Sequence, residues 1–199
     1  MENKVEEIAT HIEKLEHELE SEFEKELTAK RKQFHYTLEK GRAAFECAMC
    51  DLHAKLRKSW IKFLWEAPFL SLLVAPVIYS LAVPLVILDA WLWLYQTISF
   101  PVYGIKKVDR SRYIAFDRGK LEYLNWIEAF NCNYCAYANG IVAYAREVAS
   151  RTEQYFCPIK HSKGCAGEHN RHAHFLDFGD AEAYSKKLTE LREQLRPNA

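Results

Sequence analysis

Cys132 and Cys135 stand three apart in "NCNYCAYANG", and after a further 21 intervening residues come Cys157 and His161 in "CPIKH". These are residue types that hold metal ions or exchange electrons. C-x2-C is the shortest loop in which two thiolates grip one tetrahedral ion, and Cys157 with His161 would complete a zinc set of three thiolates and one imidazole. The linker slightly exceeds the about 12 to 20 residues that separate the ligand pairs of zinc modules. If residues 136–153 formed one straight helix, Cys157 would end more than about 25 Å from Cys135. A closed clamp therefore needs a break, for which Asn139-Gly140 is the candidate, or an extended return through "RTEQYF".

Other chemistries compete for the same residues. Cys165 in place of His161 gives four thiolates suited to zinc or an iron–sulfur cluster. As a dithiol, Cys132 and Cys135 would make a membrane thiol–disulfide oxidoreductase, with Cys132 as the attacking sulfur if it lies at a helix N-terminus. The third reading is buried structural thiols. His169, His172 and His174 in "EHNRHAH" fit a solvated loop better than one helical face. Cys47 and Cys50 in "ECAMC" lie among Phe45, Met49 and Leu52 and read as small apolar side chains on a packed face. A thiolate site bridging the two C-x2-C pairs, or lipidation beside a bilayer, is the alternative for them. No P-loop, glycine-rich dinucleotide turn or Ser-His-Asp order is present, and "DFGD" (177–180) lacks the companion motifs of a kinase.

Three segments must position these groups. Over residues 1–58, Val5, Ile8, Ile12, Leu15 and Leu19 are spaced 3, 4, 3, 4, the seam of a coiled coil. After a stutter at Phe23 and Leu27 the alternation resumes from Phe34 to Leu56, so a long amphipathic helix is expected, pairing with a second copy or a partner helix through residues 5–56.

Residues 59–105 are apolar. Between Glu66 and Asp89 lie 22 residues without a charge, and 16 more separate Asp89 from Lys106. The first run would span roughly 33 Å as a helix, enough for a hydrocarbon core of about 30 Å. Trp91, Trp93, Tyr95 and Tyr103 are of types enriched at the membrane interface. Four basic residues flank each side: Lys55, Arg57, Lys58 and Lys62 before, and Lys106, Lys107, Arg110 and Arg112 after. That balance predicts a hairpin or re-entrant loop, bent near Pro84 or Asp89, with both termini cytoplasmic.

Residues 106–199 predict a cytoplasmic helical domain. Asp117 looks like an N-cap for a helix carrying Leu121, Leu124, Ile127 and Phe130. A second helix is expected from about Asn133 to Thr152, with Ile141, Tyr144 and Val148 on one face, and a third opens at Asp180. The fold class is all-α.

The 199 residues carry no net charge, so no global basic field recruits nucleic acid. The N-terminus is charged throughout and has no signal-peptide pattern, which leaves reduced thiols as the default. The stretches "NCNYCAYANG", "YFCPIKH" and "FLDFGDAEAY" resemble a family of small, uncharacterised bacterial membrane-associated proteins over roughly residues 95–185. The resemblance implies a bacterial inner-membrane location and no activity. The expectation is a membrane-anchored scaffold in contact with the lipid bilayer, with a structural zinc site at Cys132, Cys135, Cys157 and His161.

Overall fold

A computed structural model describes residues 2–39 and 42–197. The described residues are mostly helical. In order they form α1 (Glu2–Gln33), the strands β1 (Tyr36–Glu39) and β2 (Arg42–Phe45), α2 (Cys47–Leu56), α3 (Trp60–Glu66), α4 (Phe69–Ser80), α5 (Ala82–Tyr103), α6 (Trp126–Phe156) and α7 (Ala181–Glu193). Short 3-10 turns occupy Arg110–Arg112, Arg118–Lys120 and Asn170–His174.

The N-terminal helix is shorter than its periodicity predicts. It stops at Gln33, His35 takes a left-handed backbone (φ 51°), and β1 pairs antiparallel with β2, Tyr36 opposite Phe45 and Leu38 opposite Ala43. Two residues separate the strands, the length of the tightest hairpins. The seam that was expected to run to Leu56 is therefore divided by a hairpin. On α1 the seam residues Ile8, Ile12, Leu15 and Leu19 remain exposed.

The prolines of the apolar segment explain why it stays helical. Pro68 is the N-cap residue of α4 and Pro84 falls in the first turn of α5, where no intrahelical N–H is lost. Only Pro76 and Pro101 lie further inside. Between α4 and α5 the chain passes through Leu81 in a right-handed helical conformation (φ −63°, ψ −19°). α5 then continues unbroken through Asp89, so the reversal expected near Pro84 or Asp89 does not occur there.

The chain divides into two compact units. One comprises Met1–Glu16, Ile87–Tyr113 and Ile141–Ala199. Its core residues include Ile141, Tyr144 and Val148 of α6 with Phe100, Ile105, Phe175, Leu191 and Leu195, all buried. At about 1.5–3 kcal/mol for each large apolar side chain removed from water, this cluster is the main stabilising element of the unit. α7 starts where the sequence predicts, with the Asp180 carboxylate accepting the Ala183 N–H at 2.8 Å. It is tied to α6 by Gln154, which donates to the Leu191 carbonyl at 2.8 Å, and by Arg192, which donates to the Tyr155 carbonyl and lies over its ring.

The other unit comprises His17–Val86 and Ile114–Gly140. Rings hold much of it: Phe45, His53 and Tyr123 form an edge-to-face chain with centroids 5.1–5.2 Å apart, and Tyr79 packs on Phe130 and Tyr134. Here the predicted Asp117–Phe130 helix gives way to a 3-10 turn, and α6 starts at Trp126. The cause is a capping box. The Asn125 side chain accepts the N–H groups of Ile127 and Glu128, and the Glu128 carboxylate accepts the Asn125 N–H at 3.0 Å.

Candidate functional site

α5 has inverted polarity. Leu85, Asp89, Gln96 and Phe100, spaced 4, 7 and 4, share one helical face. Leu85, Gln96 and Phe100 are buried, and the Asp89 side chain is 17% exposed. The remaining faces carry Val83, Val86, Ile87, Trp91, Trp93, Ile98 and Val102, all exposed. A helix folding in water turns its apolar stripe inward. Here a carboxylate and a carboxamide turn inward between Leu85 and Phe100, and most of the apolar side chains turn outward.

Both inward polar groups are satisfied. Arg110 donates to the two oxygens of Asp89, from Nε at 2.8 Å and from a terminal nitrogen at 2.7 Å. Gln96 donates to the Tyr144 hydroxyl and accepts the Val108 N–H at 2.7 Å. Burial raises the Tyr144 hydroxyl pKa, and the nearby Asp89 charge adds to the shift. These partners arrive because the chain reverses after α5. Gly104 adopts φ 68°, Ile105 donates to the Phe100 carbonyl at 2.8 Å and Gly104 to that of Pro101, which is a Schellman cap.

One helical run among the described residues, Phe69–Tyr103, is long and apolar enough to cross a membrane. Only 6% of its most apolar window is buried within the chain. No protein family matches this chain, and neither a curated protein nor a solved structure matches it. The site rests on its own geometry.

The cysteines fall differently from expectation. α6 runs unbroken from Trp126 to Phe156, through Asn139 and Gly140. The Asn139 side chain donates to the Cys135 carbonyl at 2.9 Å and Gly140 is buried, so the pair expected to break the helix is absorbed into it. Cys132 lies beyond the first turn of α6 and not at its N-terminus, where dipole stabilisation of a thiolate acts. Cys157 follows the last helical residue, with Pro158 buried behind it. Over the 22 residues from Cys135 to Cys157 a continuous helix rises about 33 Å. The described residues gather no group of three or more His, Cys, Asp or Glu side chains that could hold a metal. Cys135, Cys157 and Cys165 are exposed and Cys50 and Cys132 half-buried, all as free thiols. The Cys47 side chain lies outside the described residues.

The histidines expected in a solvated loop are instead partly structural. The Asn170–His174 turn is capped by His169, whose Nδ1 accepts the His172 N–H at 3.1 Å. His172 is buried, stacks on His161 at 5.3 Å between centroids, and pairs with Glu168 at 3.0 Å. His169 pairs with Glu153 at 2.8 Å, and His174 stays exposed beside Glu13. Together with Cys165, the residues His161, His169, His172, Glu153 and Glu168 line a cleft of about 260 Å³. The Cys165 N–H holds the Glu168 carboxyl below its ordinary pKa, helped by the neighbouring imidazoles.

A larger cleft of about 590 Å³ in the same unit is lined by Glu147, Arg146, Arg171, Gln154, Ser150 and Tyr113, among others. Its charges are mutually engaged. Glu147 accepts from Arg151 Nε at 2.8 Å and from Arg171 at 3.0 Å, and Arg171 also donates to Gln154 at 2.9 Å. Burial pushes the Glu147 carboxyl up, but the Arg151 hydrogen bond and the Arg171 charge outweigh it and leave the pKa below the ordinary value. These groups bind each other and build the wall of the unit.

Proposed function

We propose that this chain is a membrane-anchored interaction protein, with no catalysis inferred, in which the Phe69–Tyr103 run seats in lipid and α1 docks a partner helix. The observation that carries the reading is the inverted polarity of α5: its carboxylate and carboxamide turn inward onto fixed partners while its apolar surface faces out. Such an arrangement is stable where the surroundings are hydrocarbon and costly where they are water.

The scaffold role is supported by the seam of α1. Ile8, Ile12, Leu15 and Leu19 form an exposed stripe on a 32-residue helix, and a stripe of that kind gains most by pairing with a second one. A second copy of this chain is the simplest partner. The resemblance over residues 95–185 supports a bacterial inner-membrane location, and the four basic residues on each flank of the apolar segment support both termini on the cytoplasmic side.

Fractionation of cells expressing the full chain tests the anchor. The expected result is a protein retained in the membrane fraction through carbonate and high salt and released by detergent; release by carbonate alone overturns the reading. For the scaffold, cross-linking of the detergent-solubilised protein should yield a dimer or higher oligomer that Ile12→Asn with Leu15→Asn abolishes.

A further inference from the structure

We infer that α5 lies along one leaflet of an anionic bilayer, apolar stripe toward the acyl chains, and does not cross it; the inference rests on the membrane reading above. The deciding feature is the segment after Gly104. It runs back along α5 as a strap, with Ile105 bonded to Phe100, Val108 to Gln96 and Arg110 to Asp89. In the six residues from Ile105 to Arg110 it retraces the twelve from Phe100 to Asp89, about 16 Å of helix.

The strap is charged and open to the surroundings: Lys106, Lys107, Asp109 and Arg112 are all exposed. A crossing helix would carry them to the depth of Asp89–Phe100 in the hydrocarbon, together with the strap's non-helical backbone. Charged side chains and lipid-exposed irregular backbone are both excluded from that layer unless protein or water shields them. Breaking the strap away would instead strip Asp89 of the Arg110 guanidinium and Gln96 of the Val108 N–H in the lipid.

Lying in the plane resolves the conflict. The stripe Val83, Ile87, Leu94 and Ile98, spaced 4, 7 and 4 and exposed throughout, enters the acyl boundary. The strap then faces the headgroups with Lys106, Lys107 and Arg112 against a single unpaired acid, Asp109, whose carboxylate is already occupied by Ser111 at 2.8 and 2.9 Å. That balance suits phosphatidylglycerol or another anionic lipid. Trp91 and Trp93, both exposed, are residues that favour the interfacial layer.

The test uses the full-length chain on phosphatidylcholine vesicles containing phosphatidylglycerol. A fluorescent amino acid is placed singly at Val83, Ile87, Leu94 or Ile98, and quenched by lipids brominated near the headgroup or near the chain end. The expected result is one shallow quenching profile common to all four sites. The helix rises about 22 Å between the first and last of them, so a crossing helix gives a depth that changes steadily from site to site. A graded profile overturns the in-plane inference and leaves the anchor standing. Failure to float with the vesicles, with no quenching at any site, overturns both.

Discussion

Asp89 accepts two hydrogen bonds from Arg110, 21 residues further along the chain, at 2.8 and 2.7 Å. This places the one acid of an otherwise uncharged stretch against a base that would otherwise count among the flanking positive charges. The pair fixes the strap to the helix. Replacing Arg110 with Ala leaves a carboxylate three-quarters or more enclosed without its counter-ion, and should destabilise the protein by about 2–4 kcal/mol. Arg110→Lys should recover only part of that, because an ammonium cannot reproduce the forked geometry. Chemical denaturation of the detergent-solubilised protein measures both; equal stability of all three forms would refute the pairing.

Gln96 and Trp93 make opposite predictions although they lie on the same helix. Gln96→Leu raises the hydropathy of an already apolar segment, yet it strands the Val108 N–H and the Tyr144 hydroxyl. The expected loss is about 1–3 kcal/mol. Trp93→Ala removes an exposed ring, so folding stability should change by less than about 0.5 kcal/mol while vesicle affinity falls. Denaturation and flotation, run side by side, separate the two effects.

Gly104 is the only residue type suited to its φ of 68° at no steric cost. Gly104→Ala should cost about 1–2 kcal/mol, whereas nothing lies within 4 Å of the added methyl group. A thermal shift in Gly104→Ala with none in Gly164→Ala, where the space is equally open and φ is ordinary, is the expected pattern.

Glu147 should shape the acid limb of the stability profile. Its folded pKa lies below the ordinary 4.5, so its ionised form contributes stability above that value, and the contribution is lost as pH falls through the lower folded one. Glu147→Gln removes the contribution. The variant should be less stable at neutral pH and show a flatter decline below about pH 4.5. An unchanged acid slope would show that the Arg151 and Arg171 contacts do not persist in solution.

The thiols offer a direct check on the zinc expectation. With α6 continuous, Cys135, Cys157 and Cys165 are each exposed and should react with a maleimide at similar rates, Cys132 more slowly. Adding zinc to the reduced protein should leave those rates unchanged. Protection of Cys132, Cys135 and Cys157 together, with stoichiometric metal, would mean that α6 opens to close a clamp with His161.

What the sequence made legible follows from local physics. The Asp180 cap and the buried Ile141–Tyr144–Val148 face depend on neighbours within a turn or two, and each is found as expected. The Asn125–Glu128 capping box was equally local, but the periodic Leu121 and Leu124 drew the helix start eight residues too early, to Asp117. Asn139-Gly140 shows propensity losing to packing: a mid-helix glycine costs about 1 kcal/mol, less than the burial of the adjoining Ile141 returns. The β1–β2 hairpin was hidden because Leu38 and Phe45 satisfy a helical spacing as well as a paired one. Non-local partners were out of reach altogether. Nothing in the spacing of Asp89 and Arg110, or of Gln96, Val108 and Tyr144, announces that they meet.

The face formed by Leu85, Asp89, Gln96 and Phe100 also uncouples folding from solvent. Every contact that orders this part of α5 points toward protein, so the outward positions are free of architectural duty. A version carrying Glu and Lys at Val83, Ile87, Leu94 and Ile98 would keep the same interior and exchange oil for water, giving a detergent-free form of the molecule fit for crystallisation or solution spectroscopy.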